Sequence, residues 1–267
     1  MEAESALLEK ARVGDDAALE RLIELYAPRL LRFGRKLCAN EHDAEDVVQQ
    51  TLLSLTHHLA EYRGEGQLST WLFSIARHHC IKHRTRGAAA VPTEPMERGG
   101  LEIAGPSQHS PEAEFSREEL DRALEAAILA LEPAQREVLV LRDVEGLTAP
   151  EVAGALGIGV DAVKSRLHRA RKALRARLTP WLEQNTPTPS CPDVIDLLSR
   201  YQEGDVTAEV CKTMEAHVDQ CPACAARCHS LRSVLSACSA APVPELPDAF
   251  KQAVREQMRR SLKRQIG

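Results

Sequence analysis

Apolar residues recur at three- and four-residue steps through the first part of the chain, the periodicity of an amphipathic helix. Two such stripes come before a break at Gly64 and Gly66, and a third follows it. The stripes consist of Leu19, Leu22, Ile23, Tyr26 and Leu30, then Val47, Val48, Leu52, Leu55 and Leu59, then Trp71, Leu72, Ile75 and Ile81. This pattern predicts a helical bundle over residues 5–86.

Two stretches interrupt the helical pattern and predict domain boundaries. Residues 87–115 contain eight glycines and prolines and have no usable periodicity, which is typical of a flexible linker. A second stretch, residues 186–190, alternates threonine and proline. At the C-terminus, Phe250, Val254, Met258, Leu262 and Ile266 recur every four residues, so we predict a basic amphipathic helix over residues 248–267.

Residues 116–182 predict a helix-turn-helix. Thr148 and Glu151 have capping-box spacing before a short helix, and Gly157 and Gly159 form the turn that follows it. The next helix has seven Lys and Arg against one Asp over residues 160–178, which suits a phosphate-lined major groove. The candidate DNA contacts on it are Lys164, Ser165, Arg166, His168, Arg169 and Lys172.

A second basic segment, residues 69–86, has four cations and no acid. With the loop before it, this segment has the chemistry for binding a melted strand, and its candidate contacts are Arg63, Trp71 and Arg77. Trp71 is equally well explained as a core residue. The nearby histidines are a candidate metal site, although backbone or base contacts explain them better; they are His57, His58, His78, His79 and His83.

The eight cysteines are unevenly distributed. Cys38 and Cys80 are isolated, and six others fall within 48 residues. We find no signal peptide and no stretch of about 18 apolar residues, so we expect a cytoplasmic protein without a membrane span. In a reducing compartment the cysteines are expected to be metal ligands or redox thiols before they are disulfides.

The C-terminal cysteines predict a metal site. Cys191, His217, Cys221 and Cys224 have the spacing C-x25-H-x3-C-x2-C and supply the four N and S ligands that zinc takes in a tetrahedron. Additional candidate ligands are Cys211, Cys228 and Cys238. Surplus thiolates favour a sensor of zinc or cadmium, with copper less favoured because no Cys-x-Cys pair is present. The alternative is a structural zinc with incidental buried cysteines.

Several of these motifs resemble a known family. The runs 131–139, 147–157 and 163–171 are similar to region 4 of the extracytoplasmic-function (ECF) sigma factors, and runs 43–49 and 70–77 to region 2. This resemblance implies that Asp43, Asp46 and Gln49 bind RNA polymerase. The cysteine-rich segment resembles the zinc-binding anti-sigma fold, and the combination resembles the CorE-type metal-dependent sigma factors, which implies metal homeostasis or stress response.

We therefore predict an all-α protein whose domains are region 2 (5–86), a linker (87–115), region 4 (116–182), a cysteine-rich metal domain (191–240) and a basic tail (248–267). Residues 191–250 have a net charge of −5 and suit docking on the basic helices, whereas the tail packs most simply on its own chain. We expect RNA polymerase core, promoter DNA and metal ions as partners. We expect no enzyme activity, no membrane and no separate anti-sigma factor.

In the working hypothesis, metal binding rearranges the cysteine-rich domain and permits promoter binding, although the sequence does not determine the sign of this switch. Two alternatives stay open. One is a redox sensor that uses the same thiols and releases zinc under oxidant. The other is a metal-responsive helix-turn-helix regulator that does not engage polymerase.

Overall fold

The computed structural model describes residues 2–38, 40–58, 67–90, 117–178 and 191–266, and these residues form helices and connecting turns without a strand. The predicted all-α fold is confirmed. The helices are α1 Glu2–Arg12, α2 Asp16–Leu37, α3 Glu41–His58, α4 Leu68–Ala90, α5 Arg117–Leu129, α6 Pro133–Leu139, α7 Ala149–Leu156, α8 Val160–Leu178, α9 Val194–Gln202, α10 Ala208–Gln220, α11 Pro222–Ser239 and α12 Asp248–Ile266. Helix α4 takes up the first four residues of the predicted linker, because three alanines there favour helix.

The described helices group into two compact units, and the grouping does not follow chain order. The first unit joins α1–α4 to the C-terminal helix α12, and the second joins α5, α6, α8, most of α7 and the three cysteine-rich helices α9–α11. The basic tail thus packs on the N-terminal bundle, and the cysteine-rich segment packs on the helix-turn-helix. The predicted domain bounds themselves stay predictions.

In the first unit, α2 packs against both α3 and α4. The rings of Phe33 and Phe73 lie 5.2 Å apart, and the guanidinium of Arg29 lies over the Phe73 ring. Gly34 lets α2 approach α3 closely, since a Cβ at this position would lie 3.1 Å from the Cβ of Ala44. The apolar stripe of α12 is buried against this bundle, with Val254 and Met258 fully enclosed.

In the second unit, the helix-turn-helix is formed by α7 and α8. The predicted capping box closes: the Thr148 backbone N–H donates to the Glu151 carboxylate at 2.7 Å, and the Glu151 N–H donates to the Thr148 hydroxyl at 3.4 Å. Gly157 adopts a φ of +66°, which favours glycine, and so ends α7. Helix α8 then buries Val163, Leu167 and Leu174 against the unit's core.

Candidate metal centre and nucleic-acid interface

Three helix ends bring four of the predicted metal ligands together. Cys191 lies just before α9, His217 lies in the last turn of α10, and Cys224 lies in the first turn of α11. Cys221 is the single residue that joins α10 to α11, so it ends one helix and begins the next. The four ligand atoms all lie within 4.8 Å of one another.

The donor set fits a tetrahedral thiophilic cation such as zinc. The Sγ atoms of Cys191 and Cys221 lie 3.8 Å apart, and the Nε2 of His217 lies 3.3 Å from the Sγ of Cys224. Zinc–sulfur bonds of about 2.3 Å and zinc–nitrogen bonds of about 2.0 Å place neighbouring ligand atoms of a tetrahedron roughly 3.5–3.8 Å apart. Both separations match such a site with small adjustments.

Burial raises the pKa of two thiols, one in the cluster and one in the adjoining apolar core. Desolvation, with contributions from the neighbouring Cys191 and Cys221, raises the pKa of Cys224 to about 12. Desolvation also raises the pKa of Cys228, although Arg232, Arg227 and Arg175 oppose the change. A cation that binds Cys224 as thiolate must therefore displace a proton, as is usual for zinc sites.

The structure does not bring the three surplus cysteines into this four-residue cluster. Cys211 lies on the same continuous α10 as His217, six residues earlier, so the two side chains point about 120° apart. Cys228 packs into the apolar core with Leu198 and Leu231. Cys238 lies 14 residues after Cys224 on α11, or roughly 21 Å along a helix. The prediction that they share this site has no support in this arrangement.

Acidic side chains of the cysteine-rich segment face the predicted DNA-reading helix α8. We call the residues Asp193, Asp196, Glu203 and Asp205 the acidic row, and Lys164, His168 and Lys172 the cation stripe. Lys172 Nζ lies 3.5 Å from a carboxylate oxygen of Asp193, His168 Nδ1 lies 3.4 Å from Asp196, and Lys164 pairs with Asp205. The contacts follow one side of α8 at four-residue steps, so half of the DNA contacts predicted on α8 face α9 and its flanking residues.

A buried ionic network lies beside this stripe, and its centre is Arg171. The Arg171 guanidinium donates to both oxygens of Asp143, at 2.9 and 2.6 Å, and to Oε1 of Glu203 at 2.9 Å. It also donates to the Ser199 carbonyl at 3.2 Å. Burial alone would lower the pKa of Arg171, but Asp143 and Glu203 outweigh burial and raise it. Arg142 donates to the other oxygen of Glu203 at 3.0 Å.

Sequence reasoning missed Arg171, Asp143 and Glu203. The signal was present in α8, because Arg171 falls four residues after Leu167 and three before Leu174, in the middle of the apolar edge. A cation on the apolar, core-facing edge of a helix indicates a buried acidic partner. The sequence alone does not identify that partner, because Glu203 lies 32 residues away in another predicted domain.

Of the other predicted DNA contacts, three lie elsewhere on α8 and one lies outside the described residues. Ser165 and Arg169 are exposed, and the Arg169 side chain donates to the Ser165 carbonyl at 3.4 Å. Arg166 is half-buried. Arg63, predicted to contact the melted strand, lies outside the described residues.

Helix α4 carries the remaining predicted strand contacts. Trp71 and Arg77 are both half-buried, so Trp71 is neither a fully enclosed core residue nor a free ring. The ring of His58 meets Trp71 edge-on at a centroid distance of 5.8 Å. His83 contacts Asp43 at 3.2 Å instead of sharing a metal cluster with the other histidines.

The predicted polymerase-binding face on α3 is contacted by α12. Gln49 donates from Nε2 to Oε1 of Gln257 at 2.9 Å, and about two helical turns further along α3 the hydroxyl oxygens of Thr56 and Ser261 lie 3.0 Å apart. Asp43 and Asp46, also predicted to bind polymerase, lie at the start of α3 and are half-buried. The prediction that the tail packs on its own chain is confirmed.

Two cysteines outside the metal cluster are joined. Cys38 at the end of α2 and Cys80 on α4 form a disulfide with a Cα–Cα distance of 5.2 Å. The sequence analysis ranked metal ligands and redox thiols ahead of disulfides. Packing of α2 on α4 brings this pair, 42 positions apart in the chain, close enough for a disulfide.

Three family models match the chain. A model described as sigma-70 region 2 matches residues 22–89, and one described as sigma-70, region 4 matches residues 121–174. A third, described as "Putative zinc-finger", matches residues 191–225, which include the four clustered ligands. The region 4 and zinc-finger matches lie within the segments to which the sequence analysis assigned them, and the region 2 match extends three residues past the predicted bound at residue 86.

Similar curated proteins are sigma factors. ECF RNA polymerase sigma factor SigE of Mycolicibacterium smegmatis is 32% identical over 166 residues, which cover 61% of this chain and 63% of SigE, less than two thirds of its length. RNA polymerase sigma factor YlaC of Bacillus subtilis is 30% identical over 167 residues, which cover 62% of this chain and 95% of YlaC.

Among solved structures, CnrH in complex with the cytosolic domain of CnrY is 28% identical, with a TM-score of 0.49 over 66% of this chain and 97% of CnrH. Nothing in these comparisons supports the expectation that no separate anti-sigma factor is required, and the CorE-type resemblance is not confirmed either. A search of the described helices finds none with the length and apolarity to cross a membrane.

Proposed function

The chain belongs to the ECF family of sigma-70 factors, and from this premise we propose that it directs RNA polymerase to promoters under the control of its own C-terminal segments. Proteins of this family are transcription initiation factors and not enzymes. In the proposal, α3 binds polymerase through Asp43, Asp46 and Gln49. Helix α4 and the preceding loop read the −10 element, and α8 reads the −35 element.

One observation carries the proposed control: the acidic row lies against the cation stripe of α8. A protein carboxylate and a DNA phosphate compete for the same lysine and histidine side chains, since both are anionic oxygen acceptors. While Asp193, Asp196 and Asp205 are paired with α8, phosphates must compete with them for Lys172, His168 and Lys164. This supports an arrangement in which the cysteine-rich segment suppresses −35 binding.

The contact of α12 with α3 supports suppression of polymerase binding in the first unit. Gln49 is hydrogen-bonded to Gln257, and Val254, Met258 and Leu262 are buried against the bundle. A polymerase segment that needs the same side of α3 must displace α12. In this proposal both DNA binding and polymerase binding are restrained within one chain, which favours control without a separate anti-sigma factor.

The metal cluster suggests the sign of the switch. Its four ligand atoms are gathered in the same arrangement in which the acidic row contacts α8, so an ion that binds them stabilises this arrangement by linkage. Asp193 is the N-cap of α9 and lies two residues after Cys191, so the ligand loop and the acidic row are directly joined. We therefore propose that zinc holds the suppressed state and that its loss or exchange activates, opposite to the working hypothesis.

Transcription in vitro tests this proposal. Purified full-length chain, zinc-loaded or treated with a chelator, is added to core polymerase on a promoter recovered by selection. We expect more transcript from the zinc-depleted chain, and Cys224→Ser should resemble depletion while Cys211→Ser, outside the cluster, should respond like wild type. Equal activity in both conditions would sink metal control. Failure to co-purify with core polymerase would favour the plain helix-turn-helix regulator, and cadmium and copper arms would identify the effective ion.

A further inference from the structure

The first unit contains a cysteine pair that the metal cluster does not explain. Cys38 and Cys80 lie on α2 and α4 with their Cα atoms 5.2 Å apart, inside the range of about 4.4–6.8 Å that disulfides need. The four-ligand cluster lies in the other unit and uses none of the same residues. From this placement we infer that Cys38 and Cys80 are a reversible thiol–disulfide site, with peroxide as oxidant and a dithiol protein as reductant.

The two sulfurs differ in accessibility, which assigns the order of reaction. Cys38 is half-exposed at the end of α2, whereas Cys80 is 2% exposed. A soluble oxidant therefore meets Cys38 first, and Cys80 is the resolving thiol. This is the arrangement expected of a reactive cysteine with a buried partner.

The chemistry balances with hydrogen peroxide as a two-electron oxidant. The Cys38 thiolate attacks one peroxide oxygen, the O–O bond breaks, and sulfenic acid and one water form once the leaving hydroxide takes up a proton. The Cys80 thiolate then attacks the Cys38 sulfur, and the S–O bond breaks with loss of a second water. Two thiols and one peroxide give one disulfide and two waters. A dithiol protein reverses this by exchange and is itself oxidised to its disulfide.

The cross-link lies where it limits movement of α4 relative to α2. The chain between the two cysteines contains every residue of the first unit to which we assign a polymerase or −10 contact, including Asp43, Gln49, Trp71 and Arg77. The disulfide ties the end of α2 to α4, which already contact through Phe33 and Phe73. Oxidation therefore limits separation of α4 from α2, and reduction restores it.

Peptide mapping tests the site on the full-length, zinc-loaded chain. After reduction and removal of reductant, the chain is treated with one equivalent of hydrogen peroxide, alkylated and digested without reduction. We expect a Cys38–Cys80 linked peptide that disappears after thioredoxin treatment, with zinc retained. Cys38→Ser should abolish the link, and Cys211→Ser, a matched change of a half-exposed cysteine in the other unit, should leave it intact.

Amide hydrogen exchange tests whether the disulfide restricts α4. Amide exchange in α4 should be at least tenfold slower in the oxidised wild type than in the reduced wild type, and independent of redox state in Cys38→Ser. The inference is overturned if both thiols are alkylated after an oxidant dose that releases zinc. It is also overturned if the link resists thioredoxin in the folded chain, or if α4 exchanges equally in both states. These readouts do not depend on the proposed transcription activity.

Discussion

The two units are held to their C-terminal partners by different forces. In the first unit, α12 buries Val254, Met258 and Leu262, and its ion pairs with Asp16 and Glu20 lie at an exposed edge. In the second unit, the acidic row meets α8 mainly through charges, with one pair, Arg171 with Glu203, fully buried. Apolar contacts are insensitive to ions, whereas ionic contacts next to a metal cluster respond to salt and to metal. The second unit is therefore the one expected to respond to salt and to metal.

Metal removal is expected to have the largest effect, and it should change the second unit without changing the first. Closure of a thiolate zinc site contributes about 10 kcal/mol or more in small zinc peptides, so a chelator should loosen α9–α11. Amide exchange should then rise in these helices and in the exposed side of α8, and stay constant in α12. Equal loss of protection in α12 would contradict the assignment of the metal response to the second unit.

The second largest effect is expected from a substitution in the apolar contact between α12 and the N-terminal bundle. Met258→Asp places a carboxylate at a fully buried position of α12, at a cost of roughly 3–5 kcal/mol. We expect α12 to detach and the affinity for core polymerase to rise by about a hundredfold, as measured by interferometry. Arg260→Ala, a change at an exposed position of the same helix, is the control. Unchanged polymerase affinity, with α12 shown to be mobile, would refute the proposal that α12 restrains α3.

The buried ion pair should be the strongest single contact of the ionic unit. Glu203→Gln removes a carboxylate that is 4% exposed and leaves Asp143 as the one carboxylate that pairs with Arg171, a loss of up to about 3 kcal/mol. Affinity for a −35 duplex should rise by roughly ten- to a hundredfold in fluorescence anisotropy. Glu215→Gln, the same change at an exposed site on α10, should have little effect. A Glu203→Gln chain that binds DNA no better than wild type would show that the Arg171 network is purely structural.

The smallest effect is expected at the exposed end of the acidic row. Asp193→Asn keeps the N-cap of α9, because asparagine also accepts from the Asp196 N–H, but it removes the charge that faces Lys172. Exposed ion pairs contribute less than about 1 kcal/mol, so DNA affinity should rise less than fivefold. The difference should disappear when anisotropy is repeated at high salt, because salt screens exposed charges. If Asp193→Asn raised DNA affinity more than Glu203→Gln does, Asp193 and not Glu203 would be the stronger contact of the acidic row with α8.

Local patterns in the sequence predicted much of the fold and part of the site. The capping box at Thr148, the turn at Gly157 and the stripe of α12 depend on residues a few positions apart, so periodicity and spacing identify them. The four clustered ligands were predicted because zinc requires a donor set that few spacings supply. The assignment of Cys211, Cys228 and Cys238 as additional ligands stays a prediction, because the position of a thiol in the sequence does not tell whether it faces a cluster or an apolar core.

What the sequence by itself determined is therefore the helices, their order and the chemistry of the Cys191–Cys224 ligand set. Only the tertiary structure decided that Glu203 meets Arg171, that Gln257 meets Gln49 and that Cys38 meets Cys80. These pairs are separated by 32, 208 and 42 residues. Contacts over such distances depend on how whole helices pack, and helix packing is set by the combined burial of many apolar side chains and not by the identity of the two residues that meet.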